Sequence, residues 1–407
     1  MEQLIERVCG LDVHKASVAA CVRVPGPGGR RVQEVRTFGT ATPVLLALRD
    51  WLQAHGVTHV AMESTGVYWK PVFYVLEEAV TCVLVNAHVK QVPGRKTDVQ
   101  DCAWIAQLLE HGLLRGSFVP PVAIRELRDL TRYRKALIGE RQREANRLHK
   151  VLEDAGLKLA SVASDILGQS GRAMLGALVE GTTDPDVLAD LAKGKLRAKL
   201  PALRQALTGR FRGHHAFLVT QILAHLDYLD ETIGTVSDEV EAHLAPFAET
   251  VRRLDAIPGI NQRGAEVVIA ELGVDISVFP TERHLASWAG LCPGNNESAG
   301  KHRSGKTRKG NRWLRALLVE CALAAIRPKH AHFGARYRRV MRHRGHRKAV
   351  VAVAHAMLRT IYHVLAGEEY TNLGPDYYDR RNSDRVRRHA VHTLERMGFK
   401  VTIEAAA

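Results

Sequence analysis

The 407-residue sequence predicts three regions in order: an α/β domain, a long helical middle and a mainly helical C-terminal part. In the first ~115 residues, short apolar runs alternate with segments of helical spacing, which is typical of α/β folds. From about residue 124 to 254, Arg, Glu, Leu and Ala dominate, and apolar positions recur at helical spacing. We therefore expect domains at residues 1–120, 121–250 and 251–370, followed by a tail helix within 371–407.

The N-terminal region contains apolar runs with the β-branched composition of strands. The first run, Val8–Val24, is interrupted near Asp12–Lys15, and a turn rich in Pro and Gly follows it. Further strands are predicted at Val32–Phe38, Val57–Glu63 and Thr81–Asn86. Helices are predicted at Pro43–His55, from Ser64-Thr65-Gly66 onward, and at Asp98–His111.

Two long helices are predicted in the middle region, at Arg125–Ala155 and at about His214–His243. Their charged, amphipathic pattern is typical of a coiled coil, and it favours a role in spacing, dimerisation or nucleic-acid clamping. At the end of the chain we expect a tail helix at Arg380–Gly398 and a short strand-like segment at Lys400–Ile403.

A Pro-Gly turn near the start of the C-terminal region admits two interpretations. Leu254–Ile260 followed by Ala265–Gly273 resembles a helix-hairpin-helix element, whose turn presents backbone N–H groups to a phosphate. An ordinary helical hairpin fits so short a motif equally well.

The composition excludes several classes of protein. Hydrophobic residues make up 46% of the chain, which is enough for packed cores, so global disorder is excluded. No stretch of about 18 uncharged apolar residues occurs, so we expect no membrane span, and the first residues lack the pattern of a secretory signal. The six cysteines form no CxxC pair, which argues against a structural zinc site and favours free thiols in a reducing cytosol.

The net charge of +15 is concentrated in one segment. Residues 299–350 hold 16 Lys and Arg and a single acid, Glu320, so this segment alone carries a net +15 and the rest of the chain is neutral. Such a focused block predicts a polyanion-binding surface, most often for nucleic acid, although a solvated basic face without a partner stays open. The basic residues expected to bind nucleic acid are Lys301, Arg303, Lys306, Arg308, Lys309, Arg312, Arg338, Arg339 and Arg342.

Four acids stand at the predicted ends of strands and at a predicted helix start. Asp12 lies within a hydrophobic β run, where a carboxylate is costly unless it is paired or holds a cation. Glu63 ends a short apolar run, and Asp98 and Asp101 begin a helix with i, i+3 spacing, which puts them on one face. This layout predicts an RNase H-like nuclease fold with two Mg²⁺ ions, since carboxylate oxygens suit Mg²⁺ and such ions stabilise the attacking and leaving oxygens of a phosphodiester. Each acid alone also fits a structural role as a helix cap, a helix-dipole residue or an ion-pair partner.

The segment 289–315 is rich in Gly, Asn and basic residues and contains two serines, Ser298 and Ser304. Its Gly and Asn predict a loop. A serine beside cationic groups and phosphates can act as a nucleophile once its hydroxyl is activated. Residue types alone favour the simpler interpretation, in which Ser298 only hydrogen-bonds a phosphate or its own loop.

Taken together, these motifs resemble those of one family, the DEDD transposases of bacterial insertion sequences, whose members are RNA-guided serine recombinases. The resemblance extends over essentially the whole chain, including the helical middle and the tail GPDYYDRR. It rests on Asp12 in GLDVHK, Glu63 in MESTGVYW, Asp98 and Asp101 in KTDVQDCAWIAQLL, and Ser298 in GLCPGNNESAGKHRSGKTRKGNRWLR.

The resemblance implies a RuvC-like, RNase H-like N-terminal domain with the four acids as Mg²⁺ ligands, a coiled coil, and a mainly α C-terminal transposase domain with Ser298 as nucleophile. It implies that DNA is cut and rejoined through a phosphoserine intermediate, with donor and target DNA paired to an element-encoded bridge RNA. It also implies an active homo-oligomer, either a dimer or a tetramer, and a nucleoid-associated location in the bacterial cytoplasm. Ser304 is the nearby alternative to Ser298.

Two functions from different classes remain open at this point. The first is the recombinase, and the second is a RuvC-like structure-selective endonuclease that hydrolyses DNA junctions with water. Hydrolysis needs the acids alone, so the requirement for Ser298 separates the two. A basic nucleic-acid binder without activity is a third hypothesis, and it would tolerate the loss of Asp12.

Overall fold

The computed structural model describes residues 3–86, 98–294, 296–328, 331–381 and 383–404. The chain divides into two compact units, Met1–Val119 and Pro120–Ala407. The first unit is α/β and the second is almost entirely helical, as the sequence predicts for these two parts of the chain. The predicted domain boundaries at residues 250 and 370, within the second unit, stay predictions.

The first unit is built on a five-stranded mixed sheet. Its strands are β1 (Val8–Val13), β2 (Ser17–Pro25), β3 (Arg31–Gly39), β4 (His59–Glu63) and β5 (Thr81–Val85), and its helices are α1 (Thr42–Ala54), α2 (Trp69–Leu76) and α3 (Asp98–Glu110). The strand order is β3-β2-β1-β4-β5. The first three strands form an antiparallel meander, whereas β4 and β5 run parallel to β1.

The central strand β1 is buried along its whole length because helices cover both faces of the sheet. Cys9, Leu11 and Val13 face the apolar core that the sheet shares with α1 and α2. Residues of the opposite parity point the other way, and Val8 joins the second core, which α3 covers.

Helix α3 approaches β1 so closely that only glycine fits between them. A Cβ at Gly10 would lie 2.2 Å from the carbonyl oxygen of Cys102 and 2.4 Å from the backbone nitrogen of Ala106. Just before β1, the N–H of Leu4 donates to the carbonyl oxygen of Glu110 at the C-terminal end of α3 (3.0 Å). The helix therefore runs antiparallel to β1, and its first turn lies at the carboxyl end of that strand.

The prediction that Ser64-Thr65-Gly66 opens a helix is wrong by more than one turn. Residues 66–68 form a turn and α2 begins at Trp69. Gly66 has a φ of 53°, which a right-handed helix cannot include. The other strands and helices of this unit are confirmed to within two residues at each end.

Two long antiparallel helices form the spine of the second unit, α4 (Val122–Asp154) and α9 (Gly213–Leu244). Leu137 of α4 packs with Leu229 and Ile233 of α9 in a small apolar seam. Beside this seam, Arg141 Nη2 donates to Asp230 Oδ2 at 3.0 Å. Both predicted long helices are confirmed, and they pair with each other within one chain.

Four short helices connect α4 to α9 and share an apolar core with the adjoining ends of both long helices. They are α5 (Leu159–Val162), α6 (Gln169–Val179), α7 (Pro185–Asp190) and α8 (Leu200–Leu207).

The C-terminal part of the second unit is a helical assembly around α15 (His346–Leu365). This helix packs against four others, α10 (Ala248–Asp255), α12 (Glu282–Trp288), α13 (Arg312–Ala325) and α14 (His332–Arg344). A further helix, α11 (Gln262–Leu272), contacts α4, α10 and α13. No helix in the described part of the chain is long and apolar enough to cross a membrane.

The prediction of a loop over 289–315 is wrong in its centre, where a two-stranded hairpin forms, and at its end, where α13 begins at Arg312. Its strands are β6 (Asn296–Ser298) and β7 (Lys301–Ser304). The connecting residues Ala299 and Gly300 have φ angles of 51° and 72°. Positive φ at both positions is typical of the tight turns that match the twist of a hairpin.

The tail agrees with its prediction in part. Two helices, α16 (Tyr377–Arg381) and α17 (Ser383–Arg396), cover most of the helix expected at Arg380–Gly398, and residue 382 lies outside the described residues. The strand-like segment Lys400–Ile403 is wrong, because these residues have no regular structure. A strand needs a neighbouring strand for its backbone hydrogen bonds, and none is paired with this segment in the described part of the chain.

The close approach of α3 makes a prediction about stability. Gly10→Ala should lower the free energy of unfolding of the first unit by about 1–3 kcal/mol, because the added methyl group would collide with helix backbone. Thermal unfolding followed by circular dichroism measures this change. Gly39→Ala, whose Cβ would lie 3.9 Å from Val44 Cγ1, is the matched control with a small expected effect. Equal losses in both variants would contradict the close approach.

Candidate active site

Asp12 and Glu63 lie side by side at the carboxyl ends of two neighbouring parallel strands. Leu11 pairs with Met62, so the next residues on β1 and β4 are Asp12 and Glu63. By strand alternation, both carboxylates are on the same sheet face as Gly10, the face that α3 covers. Asp12 is 1% exposed and Glu63 is 7% exposed, so both are buried.

The first turn of α3 lies at this same end of the sheet, because the helix runs antiparallel to β1. Asp98 is the first helical residue, and Asp101 lies half-buried in the first turn. For Asp98 the structure describes the backbone alone. The fold thus brings Asp12, Glu63 and the helix start with the two other acids to one end of one sheet face. Their role as metal ligands stays a prediction.

His14 and Cys102 are two of the groups near Asp12. His14 Nε2 lies 3.3 Å from Asp12 Oδ2, and the imidazole is largely accessible to solvent. A hydrogen bond with Cys21, together with burial, raises the pKa of the Cys102 thiol well above its usual range, and the negative charge of Asp12 acts in the same direction. These surroundings favour the neutral form of the Cys102 thiol.

The donor atoms at this end of the sheet fit a divalent metal ion. Carboxylate oxygens are the ligands that hard cations such as Mg²⁺ prefer. Two carboxylates held side by side and removed from water repel each other, and a nearby cation favours their ionised form. The chemistry of the site thus agrees with the predicted cofactor, while the sequence and the fold do not distinguish Mg²⁺ from other hard divalent ions.

A separate group, in the second unit, also has the spacing of metal ligands. The ligand atoms of Asp154, His214 and His215 lie within 4.8 Å of one another. However, His215 Nδ1 accepts a hydrogen bond from the Arg212 N–H at 3.1 Å, which leaves the ring proton on Nε2. Nε2 donates that proton to Asp154 Oδ2 at 3.0 Å. Nδ1 is thus used at the N-cap of α9 and Nε2 joins α9 to the end of α4, so we assign this group a structural role.

The two candidate serines lie at opposite ends of the hairpin. Ser298 is the last residue of β6 and pairs with Lys301 across the two-residue turn. Ser304 ends β7 and pairs with Asn296 at the base. The structure describes the backbone of both serines and not their side chains. Only Ser298 therefore belongs to the tip of the hairpin, a distinction that the sequence does not make.

Close backbone packing holds the base of the hairpin together. A Cβ at Gly310 would lie 2.3 Å from the backbone nitrogen of Gly290. The N–H of Gly294 donates to the carbonyl oxygen of Lys306 at 2.9 Å. The glycines of this segment thus allow its two legs, residues 289–294 and 305–310, to lie against each other.

The predicted nucleic-acid contacts occupy two parts of the second unit. Arg338, Arg339 and Arg342 are exposed on α14, where the guanidinium of Arg339 stacks on the ring of Tyr378 at 5.0 Å. Arg303 lies in β7, where the structure describes its backbone alone. The other predicted contacts are exposed on the hairpin, its C-terminal leg and the start of α13: Lys301, Lys306, Arg308, Lys309 and Arg312.

The Pro-Gly turn between α10 and α11 is explained by packing. Gly259 has a φ of 89°, and a Cβ there would lie 2.4 Å from the carbonyl oxygen of Cys321 on α13. Glycine is needed because α13 contacts the turn directly. This contact favours the ordinary helical hairpin over the phosphate-binding element.

The sequence analysis missed a buried ion-pair cluster that contacts the C-terminal leg of the hairpin. Its centre is Glu271, which is fully buried and bonded to Arg132 and to Asn311. Two signals were available in the sequence: an acid within the apolar run 267–272, and an Asn directly before a helical pattern, which is typical of an N-cap.

Two family models match this chain. Residues 9–156 match DEDD_Tnp_IS110, described as a transposase. Residues 251–338 match a model described as the transposase IS116/IS110/IS902 family. Together the two matches cover more than half of the chain, and they include the four acids and both serines.

Curated relatives point the same way. The chain is 24% identical to a putative transposase of Sinorhizobium fredii over 84% of its own length and 78% of the relative. It is 26% identical to an insertion element IS110 protein of Streptomyces coelicolor, over 67% of the chain and 71% of the relative. It is 36% identical to the transposase for insertion sequence element IS1328 of Yersinia enterocolitica over 106 residues, which span 31% of that relative.

The exposed arginines of α14 predict a salt-dependent affinity. Affinity for nucleic acid should fall with salt with a log–log slope of about −0.7 to −0.9 per phosphate contacted. Replacing Arg338, Arg339 and Arg342 with Gln should flatten this slope, as measured by fluorescence anisotropy. The control triple variant changes the exposed, ion-paired residues Arg204, Arg252 and Arg387. An unchanged slope in the α14 variant would place the contacts on another surface.

Proposed function

Because the chain belongs to the IS110 family of transposases, we propose that it cuts and rejoins DNA with a Mg²⁺ site in its first unit and Ser298 as nucleophile. The observation that carries this proposal is the parallel pairing of β1 and β4, which sets Asp12 and Glu63 side by side and buried. The strand order β3-β2-β1-β4-β5 supports an RNase H-like fold for this unit. In this proposal Asp12, Glu63, Asp98 and Asp101 hold the metal.

Bound Mg²⁺ would neutralise charge on the phosphate and polarise the phosphodiester. Ser298 Oγ attacks the phosphorus, a serine–phosphate bond forms, and one phosphorus–oxygen bond to a sugar breaks. The serine gives up its hydroxyl proton, and the released sugar oxygen takes up a proton. The phosphoserine keeps the energy of the broken ester, so a sugar hydroxyl of another strand can displace Ser298 and complete the rejoining. Lys301, the cross-strand partner of Ser298, adds positive charge beside the nucleophile.

The partners in this proposal are donor DNA, target DNA and an element-encoded bridge RNA, bound by a homo-oligomer. Exposed basic residues on α14 and around the hairpin support binding to nucleic-acid backbones, which carry no sequence information themselves. Base pairing with the RNA would then select the DNA sequence. RNA transcribed from the noncoding DNA that flanks the gene is the probe for this step.

Loss of one acid should separate catalysis from binding. Asp12→Asn should reduce DNA cleavage by at least about 100-fold, because it removes a charged metal ligand with little change in volume. Anisotropy should show nearly unchanged affinity for DNA and RNA. Asp50→Asn, on the exposed face of α1, is the control and should cut at the wild-type rate. Wild-type cleavage by Asp12→Asn would remove this residue from the site.

Replacement of each serine should separate a recombinase from a hydrolytic nuclease. Ser298→Ala should abolish both cleavage and the covalent protein–DNA adduct, while Ser304→Ala should retain both. Denaturing gels of end-labelled DNA, incubated with Mg²⁺ and the flanking RNA, show the adduct as a retarded band. Omitting the RNA tests guidance, since unguided cleavage at the same rate would contradict it.

Two other results would revise the assignment. An adduct that survives in Ser298→Ala but not in Ser304→Ala would move the nucleophile to the base of the hairpin. Cut DNA with free ends in both variants would favour the RuvC-like endonuclease, which hydrolyses DNA with water.

A further inference from the structure

Glu271, the fully buried acid in the last turn of α11, is bonded to side chains from two other segments of the second unit. Arg132 of α4 donates Nε to Oε1 and Nη2 to Oε2, both at 2.8 Å. Arg128, one turn earlier on α4, places its Nε 3.5 Å from Oε2. The third partner is Asn311, whose Nδ2 donates to Oε2 at 2.6 Å. The two hydrogen bonds from Arg132 fix the direction of the Glu271 carboxylate as well as its position.

Asn311 uses its side chain for two purposes. Its Nδ2 donates to Glu271, while its Oδ1 accepts hydrogen bonds from the N–H groups of Trp313 and Leu314 at 3.0 and 3.1 Å. The second pair of bonds makes Asn311 the N-cap of α13. A side-chain amide has a separate donor and acceptor, so one residue can fix both the helix start and the segment before it.

That preceding segment is the C-terminal leg of the hairpin. Gly310, next to Asn311, lies against Gly290 of the other leg with no room for a Cβ between them. Further along, Thr307 pairs with Pro293. We therefore expect the two legs to move together. A displacement of Asn311 would then also displace the hairpin, whose strand β6 ends at Ser298.

We propose that Glu271 is a positioning residue for this hairpin. Through Asn311 it fixes the legs, and hence Ser298, relative to α4 and α11. This inference rests on the proposed role of Ser298 as nucleophile. Glu271 itself contacts no reacting atom, but a displacement of about 1 Å in a reacting group can cost about 100-fold in rate. The buried charge is thus linked to the speed of phosphoserine formation.

The chain supplies a matched control for general loss of stability. Glu266, on the same helix, is 5% exposed and is paired with the buried Arg134 of α4 at 2.5 Å. This pair joins the same two helices as Glu271 and Arg132 but does not involve Asn311. Glu266→Gln should therefore lower the unfolding temperature without changing the hairpin.

The test removes the Asn311 donor while it keeps the helix cap. Asn311→Ser keeps a good N-cap, but its hydroxyl replaces the amide that donates to Glu271, and it adds no charge. Asn311→Asp also keeps a good N-cap but sets two carboxylates against each other. We expect adduct formation to slow by at least about 10-fold in Asn311→Asp and by less in Asn311→Ser. Amide hydrogen exchange over 289–311 should rise in both variants, and more in Asn311→Asp.

Three outcomes would overturn the positioning role. They are unchanged exchange and adduct rate in Asn311→Asp, unchanged exchange in Asn311→Ser, and an equal increase in exchange over 289–311 in Glu266→Gln. Hydrogen exchange does not depend on the chemistry of Ser298. If exchange follows the expected pattern while the wild-type protein forms no serine adduct, the nucleophile assignment fails and the control of the hairpin by Glu271 is supported.

Discussion

The contact between α3 and the backbone of Gly10 is the constraint on which the candidate active site depends. Any larger side chain there would push the helix away from the sheet, and with it the first turn that contains Asp98 and Asp101. On the sheet itself, parallel pairing leaves Asp12 and Glu63 adjacent and out of water. Burial of two carboxylates destabilises a fold unless opposite charge or hydrogen bonds offset it. The same packing that stabilises the first unit thus creates a site suited to a cation.

The second unit also contains a buried acid, and protein groups surround it. Glu271 is as buried as Asp12, but two arginines and one amide surround it. These protein groups offset the buried charge of Glu271. Through Asn311, we propose, Glu271 fixes the start of α13 and the C-terminal leg of the hairpin. We thus propose two roles for buried acids in this protein: metal binding for Asp12 and Glu63, and positioning for Glu271.

Local patterns in the sequence were enough to predict the strands, the long helices and the placement of the acids, because these depend on neighbours within a few residues. The start of α2 was mispredicted, since the positive φ of Gly66 delays the helix. The sequence predicts a loop where the hairpin forms. The turn of the hairpin includes Ala299 at positive φ, and composition does not reveal such a turn. In the Glu271 cluster, Glu271 is 143 positions from Arg128 and 40 from Asn311, and no local pattern encodes such contacts.

The most direct test of the proposed chemistry is to locate the covalent bond by mass spectrometry. Trypsin separates the two serines, since Ser298 falls in the peptide 284–301 and Ser304 in the peptide 304–306. After reaction with DNA, Mg²⁺ and the flanking RNA, followed by nuclease digestion, we expect phosphate or a residual nucleotide on Ser298, and none when a chelator replaces Mg²⁺. Modification of the 304–306 peptide, or cut DNA with both serines unmodified, would contradict the assignment of Ser298 as nucleophile.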